Sequence, residues 1–76
     1  MKERYYFSQL AATLERQLQC DVGLDGLNTL IHGLIRKGSL NRETLRKRKQ
    51  RDGEEWLTPF EAQSLSDYAG YDLTVD

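Results

Sequence analysis

The stretch Arg36 to Arg51, RKGSLNRETLRKRKQR, decides how the rest of this 76-residue chain is interpreted. Eight of its sixteen residues are Arg or Lys, and only Glu43 is acidic. The following stretch, Asp52 to Asp76, holds seven acids and no Arg or Lys. A chain with a net charge of −1 is therefore a block of +7 joined to a block of −7. This segregation of charge is the strongest physical feature of the sequence, and the balanced total conceals it.

The basic stretch predicts a short helix on the surface. Asn41 is a good N-cap, because its side-chain oxygen accepts hydrogen bonds from backbone N–H groups one turn further on. The helix is expected over about residues 42–51, with Asp52-Gly53 ending it. Its one clear apolar position is Leu45. Since one leucine cannot bury a helix of this length, we expect the helix to lie outermost, anchored at Leu45.

An apolar pattern near the N-terminus predicts the first helix. Phe7 and the segment Ser8 to Gln19 place apolar residues at helical spacing, which favours a helix over about residues 7–19. Cys20 to Gly23 then breaks the pattern. Because a glycine just past the last periodic residue is a usual helix stop, Gly23 is the predicted end signal.

The second predicted helix, over about residues 24–37, is the most apolar part of the chain. Its apolar positions recur at three- and four-residue steps, as in a helix that faces a core: Leu24, Leu27, Leu30, Ile31, Leu34 and Ile35. Gly33 interrupts this helix and indicates close approach by a neighbouring helix. His32 falls off the apolar stripe, which predicts a position in solvent or at the edge of a contact.

Thr58-Pro59-Phe60-Glu61 is the clearest local signal. Thr58 is the predicted N-cap, Pro59 takes the first helical position and Glu61 completes a capping box, which begins a helix over about residues 59–69. Trp56 and Leu57, just before it, are expected to pack onto the core. The last helix offers the core Phe60, Ala62, Leu65, Tyr68 and Ala69. The sequence therefore predicts an all-α, small four-helix domain over residues 1–76.

Composition and motifs argue against several classes of protein. No apolar run approaches the roughly 20 residues that a membrane span needs, and the N-terminus is too polar for a signal peptide, so we expect a cytoplasmic protein. Cys20 and His32 are the only cysteine and histidine, so no metal site or cofactor is expected. Without a Gly-rich phosphate loop or a nucleophile–histidine motif, an enzyme is not expected.

The basic helix is typical of a nucleic-acid reader. An α-helix fits the major groove of B-DNA, and Arg and Lys neutralise the phosphates that dominate affinity. Side chains on the first turns would reach base edges, and those further along or in the preceding turn would hold phosphates. The predicted contact residues are Lys37, Ser39, Asn41, Arg42, Glu43, Arg46, Lys47, Lys49 and Arg51.

From the capped SLNRETLRK segment to the WLTPFEAQSLSDYAGYDL segment, about residues 24–73, the chain resembles lambda-repressor/Cro-like (XRE-type) helix-turn-helix domains. Asn41 matches the cap of that family's recognition helix, and Thr44-Leu45 match its threonine and buried aliphatic residue. Leu34, Leu40 and the segment Leu65 to Gly70 match further apolar positions. The resemblance implies a small bacterial or phage transcriptional regulator that binds double-stranded DNA with its third helix in the major groove. A homodimer is expected because so short a chain has a thin core and modest stability.

Three positions depart from the family pattern. Ile35 stands where a small residue is usual, and Ser39 stands where the turn glycine is usual, with Gly38 one position earlier. Arg48 occupies a position that is usually buried and apolar. Because a buried unpaired arginine is very costly, either Arg48 extends along its stem to solvent or the helix is rotated or shorter than in the family.

Two other interpretations of the basic stretch remain open at this stage. One is a solvated helix whose charge is balanced by the acidic segment. In a DNA-binding protein the same acids could cover the basic helix in the unbound state and so weaken or regulate binding. The other is a protein-binding module, such as a phage-type inhibitor or adaptor. Its basic helix would dock on an acidic partner, or its acidic end would occupy a nucleic-acid channel.

Overall fold

Four helices carry the fold, as the sequence predicts. The computed structural model describes residues 3–21 and 23–74. Its elements in chain order are β1 (Tyr5–Tyr6), α1 (Phe7–Leu18), α2 (Gly23–Lys37), α3 (Arg42–Asp52), β2 (Trp56–Leu57) and α4 (Pro59–Ala69). The all-α prediction is confirmed, and each helix begins and ends within one residue of its predicted limits.

The core is built mainly from leucine. Its most deeply buried side chains come from α1, α2, β2, α4 and the segment after α4: Leu10, Leu14, Leu27, Leu34, Leu57, Leu65 and Leu73. The apolar stripes of α1 and α2 pack against each other, and α4 packs against α2. Trp56 and Leu57 are buried, which confirms their predicted return to the core. Burial of these apolar surfaces is the main stabilising contribution in so short a chain.

The α3 helix lies at the surface, as predicted. Asn41 caps it, since its Oδ1 accepts from the backbone N–H groups of Glu43 at 2.8 Å and Thr44 at 3.3 Å. Leu45 is the only buried residue of α3, at 3% exposure. The side-chain cap of Asn41 and a single leucine therefore hold the start of this helix, and its charged residues other than Arg48 are exposed.

The capping box of α4 is also confirmed. The Glu61 backbone N–H donates to Thr58 Oγ1 at 3.2 Å, and the Thr58 N–H donates to Glu61 Oε1 at 2.9 Å. Two of the N–H groups that a helix start leaves without partners are thereby satisfied.

Three predicted core positions are wrong. Phe60 is 81% exposed, Leu24 is 53% exposed, and Tyr68 is also exposed. Five residues separate Phe60 from the buried Leu65, which turns their side chains about 140° apart on an α-helix. Leu24 lies in the first turn of α2 and borders an open groove with Phe7. Helical periodicity identifies a face but cannot say how far along it a neighbour extends.

One predicted helix stop is also wrong, whereas the predicted close approach at Gly33 is confirmed. Gln19, with φ of 54°, caps α1 in the left-handed region, and Gly23 instead begins α2. Val22, part of the predicted break, lies outside the described residues. A Cβ added at Gly33 would lie 2.2 Å from Tyr68 Oη, so this glycine admits the tyrosine ring of α4.

The two strands were not predicted. They pair antiparallel, with Tyr5 opposite Leu57 and Tyr6 opposite Trp56, and the Phe7 N–H donates to the Glu55 carbonyl oxygen at 3.2 Å. Two residues are too few for alternation to be visible in a sequence. The pairing holds the start of the described chain against the segment that follows α3.

The capping box yields a test of the fold. Thr58→Ala removes the acceptor for the Glu61 N–H and is expected to lower the free energy of unfolding by about 1 kcal/mol. In a domain of this size such a loss lowers Tm by about 4–8 °C. Thr58→Ser keeps the hydroxyl and should stay close to the wild type. Calorimetry of the three proteins measures this, and equal losses for both variants would assign the effect to the lost methyl group.

Candidate nucleic-acid interface

The predicted contact residues share one property, which is exposure to solvent. They extend from the last turn of α2 through the connecting turn and along α3. All nine are exposed: Lys37, Ser39, Asn41, Arg42, Glu43, Arg46, Lys47, Lys49 and Arg51. The structure therefore places all nine at the surface, from the end of α2 to the last turn of α3.

The turn between α2 and α3 sets the direction in which α3 leaves the core. Gly38 has a φ of +91°, a conformation that side-chain-bearing residues rarely adopt, and its N–H donates to the Ile35 carbonyl. The Ser39 N–H donates to the Leu34 carbonyl at 2.9 Å. Leu40 is buried. The left-handed position of this turn thus falls at Gly38, which leaves Ser39 free to be a polar surface residue.

Arg48 is held by several partners at once. Its Nη1 donates to Glu61 Oε1 at 2.6 Å and to the Trp56 carbonyl oxygen at 2.9 Å, and its guanidinium lies 4.4 Å from the centre of the Trp56 ring. The side chain is only 12% exposed. The alternative of a shorter helix is wrong, because α3 spans Arg42–Asp52, and Arg48 is paired on its flank and does not extend to solvent. The cost of burying the charge is offset by charge-assisted hydrogen bonds.

Asp52 and Arg4 complete what we call the Trp56 cluster, the group formed by Arg4, Arg48, Asp52, Trp56 and Glu61. Trp56 Nε1 donates to Asp52 Oδ2 at 2.8 Å. Arg4 lies 4.3 Å from the centre of the Trp56 ring and 3.6 Å from Asp52 Oδ2. The cluster joins the end of α3 to β2, to the start of α4 and to the N-terminal segment.

Two carboxylates of the Trp56 cluster have a lowered pKa. Burial raises the pKa of Glu61, but hydrogen bonds from Arg48 and Thr58 and the charge of Arg48 outweigh this effect and hold it below its ordinary value. The hydrogen bond from Trp56 is the main cause of the lowered pKa of Asp52, followed by the hydrogen bond from Arg51. Both groups are therefore stabilised in their charged form.

The cations of α3 fall into two sets. Arg48 and Arg51 are engaged within the chain, Arg51 through Asp52 at 3.1 Å. Arg46 lies 3.7 Å from Glu43 in an exposed pair, which is worth little in water. Within residues 3–21 and 23–74, no carboxylate pairs with Arg42, Lys47 or Lys49. The described part of the acidic segment therefore neutralises one end of the helix and leaves the rest available.

An open groove of about 440 Å³ lies between α2 and α3. Arg42, Arg46 and Lys49 line it on one side, and Asn28 and His32 line it on the other. Apolar side chains, among them those of Ile31 and Leu45, contribute the rest of its lining, together with Glu55. The groove places polar side chains of α2 opposite cations of α3.

Sequence analysis did not assign any role to Arg4 or Asn28, and it expected Trp56 to pack onto the core without predicting its contacts with arginines. Asn28 carried no signal beyond its position off the apolar stripe of α2. His32 was predicted at a solvent-facing or contact-edge position, and it is exposed at the margin of the groove. A prediction of the contact between Arg4 and Trp56 would have required knowing that these two residues, 52 positions apart in the chain, lie side by side in the fold.

Other kinds of site find no support in the described residues. Across residues 3–21 and 23–74, no three His, Cys, Asp or Glu side chains are grouped so that they could hold a metal ion. In the same segments, no helix has the length and apolar character needed to cross a membrane. Cys20 is exposed, away from the groove.

Comparison with known proteins adds no further identification: no family model, curated protein or solved structure matches the chain.

The pairing of Arg48 can be tested by replacement with an apolar residue of similar length. Arg48→Met leaves Glu61 half-buried without its cation, and we expect it to lower the free energy of unfolding by about 1–3 kcal/mol. The double variant with Glu61→Gln should recover part of that loss, because the amide oxygen still accepts from Thr58. Arg51→Met, at an exposed pair, is the matched control and should change little. Urea unfolding measures all four proteins; a loss as large for Arg51→Met would contradict the assignment.

The lowered pKa of Glu61 predicts how stability depends on pH. A carboxyl whose pKa is lower in the folded than in the unfolded state stabilises the fold above its unfolded pKa, near 4.3, and this stabilisation is lost as pH falls through the folded pKa. Wild type should therefore lose stability between about pH 5 and pH 3 more steeply than Glu61→Gln. Urea unfolding of both proteins across this range measures the two free energies of unfolding. The other carboxyls affect both proteins alike, so their contribution cancels in the difference. Parallel curves would exclude a stabilising Glu61 charge.

Proposed function

We propose that this chain is a sequence-specific DNA-binding transcriptional regulator of helix-turn-helix type that acts in the cytoplasm. One observation carries the proposal: α3 is fixed to the core on one side and presents Arg42, Arg46, Lys47 and Lys49 to solvent on the others. A protruding cationic helix of this length fits the width of the major groove.

The expected docking follows from the direction of α3. Its capped first turn would approach the base edges, with Arg42 able to pair with guanine and Glu43 able to accept from cytosine. Arg46 and Lys47 follow one turn later. The exposed pair between Glu43 and Arg46 is weak enough to open when Arg46 meets a base or phosphate. Asn41 would also face the base edges. Lys37 at the end of α2 and Ser39 in the turn, with Lys49 further along, would hold DNA phosphates, and Arg51 would join them by opening its exposed pair with Asp52.

The distribution of acids is compatible with this docking. Asp52 and Glu61 are paired with arginines. Asp67 and Asp72 border a hollow with Gln63 and Tyr71, and no residue of α3 lines that hollow. The hollow that Asp67 and Asp72 border is therefore separate from α3, whereas Glu55 lines the groove together with Arg42, Arg46 and Lys49.

A homodimer is part of the proposal. Its support is the exposure of four large apolar side chains in a chain with a small core: Leu24, Phe60, Tyr68 and Tyr71. Dimers of such domains bind two half-sites about one helical turn of DNA apart, and two copies double the number of phosphate contacts. Sedimentation equilibrium tests the dimer separately from DNA binding.

A titration against mixed-sequence duplex DNA tests the function. We expect the logarithm of the affinity to fall linearly with the logarithm of the salt concentration between about 50 and 200 mM. Arg46→Ala should weaken binding by about 1–3 kcal/mol if Arg46 meets a base, and Lys49→Ala should lower the salt slope by about 1. Arg16→Ala removes the same charge from an exposed position on α1 and should leave both quantities unchanged. Fluorescence anisotropy measures them.

The protein-binding alternative has one observation in its favour, which is the exposed Phe60 beside the capped start of α4. An exposed aromatic residue of this kind suits a protein partner. A folded wild-type protein that shows no binding to duplex DNA at low salt would contradict the regulator proposal and favour an inhibitor or adaptor. Equal weakening by Arg16→Ala and Arg46→Ala would mean that binding depends on net charge and not on α3.

A further inference from the structure

We infer that the groove between α2 and α3 is a phosphate-binding site to which both helices contribute. Arg42, Arg46 and Lys49 line one side, at steps of four and three residues that place them along one flank of α3. Asn28 and His32, four residues apart on α2, line the opposite side. All five side chains are exposed, so they meet a ligand without any rearrangement of the core.

The charge of the groove selects an anion. Three cations and the single carboxylate of Glu55 line it. In the described part of the chain neither Arg42 nor Lys49 has an acidic partner, and the pair of Arg46 with Glu43 is exposed. An anion between these side chains relieves the repulsion among the cations. The Asn28 amide and the His32 ring add hydrogen-bond donors from the facing helix.

The shape and donor set favour phosphate over a carboxylate or a halide. Arginine pairs with phosphate through two parallel N–H···O bonds, and lysine acts on it as a point charge. A phosphate has enough oxygens to take donors from two sides at once, as the facing rows require. The volume of about 440 Å³ falls within the range of small-ligand sites, about 300–1,000 Å³, so the groove admits a phosphate together with an attached sugar.

This inference depends on the proposed function only for the source of the phosphate. In a duplex complex Asn28, His32 and Lys49 hold a backbone phosphate in the groove, while Arg42 and Arg46 reach the bases. Without a duplex all five side chains take the phosphate of a free nucleotide. Asn28 and His32 contact a phosphate in both cases.

The substitution Asn28→Asp tests the contribution of the groove to binding separately from that of the other surface cations. It changes almost no volume, leaves every residue of α3 in place and puts a carboxylate where the phosphate is expected. Gln9→Glu is the matched control, since it adds the same charge at an exposed position of α1 outside the groove. In the duplex titration we expect Asn28→Asp to weaken binding on the order of tenfold or more, and Gln9→Glu by less than about twofold.

A second measurement distinguishes failure of the phosphate-binding groove from failure of the proposed DNA-binding function. Adenosine monophosphate and inorganic pyrophosphate are titrated into the wild type and both variants while amide resonances are followed by NMR. Duplex binding that both variants weaken equally overturns the groove and leaves the proposed function intact. No duplex binding, but shifts at Asn28 and His32 that Asn28→Asp abolishes, supports the groove and overturns the regulator. Neither duplex binding nor such shifts overturns both.

Discussion

The guanidinium of Arg48 contacts three groups from two residues: the ring and the carbonyl oxygen of Trp56, and the carboxylate of Glu61. Through them it connects the middle of α3 to β2 and to the first turn of α4. Glu61 is shared, because the same carboxylate completes the capping box with Thr58. The pair of Arg48 with Glu61 therefore contributes both to the orientation of α3 and to the start of α4. An apolar side chain at position 48 could not pair with Glu61.

This tether decides which cations of the basic stretch remain available. Leu45 alone would hold α3 at one point and leave it free to roll about its axis. Arg48 adds a second point on the flank next to β2, and the two together fix the rotation of the helix. The opposite flank, with Arg42, Arg46 and Lys49, is thereby directed toward α2 and the groove. Arg48, which has no proposed ligand, thus positions Arg42, Arg46 and Lys49, which are proposed to bind one.

The pairing of β1 with β2 connects the N-terminal segment to the Trp56 cluster. It brings the N-terminal segment beside Trp56, where Arg4 stacks on the ring and approaches Asp52. Tyr5 and Phe7 are buried at this junction, so the pairing also extends the core. The positive block and the negative block meet here through paired arginines and carboxylates. Only the end of α3 is neutralised in this way, and the first turns keep their charge.

Local chemistry was sufficient to predict the four helices of this protein, but not its two short strands. Asn41, Gly38 and the Thr58–Glu61 box act within one helical turn, and the apolar stripes of α1 and α2 follow from helical period alone, so helix limits and most core leucines could be read from the sequence. The exposure of the six candidate residues in α3 followed from the scarcity of apolar positions in that helix. Tertiary structure alone decided four other features. Arg48 pairs with Glu61 and Trp56, and Arg4 reaches the Trp56 ring. Phe60 is exposed, and Asn28 and His32 face α3 across the groove. Each of these contacts joins residues distant in sequence, and no local pattern specifies which faces of two helices will meet.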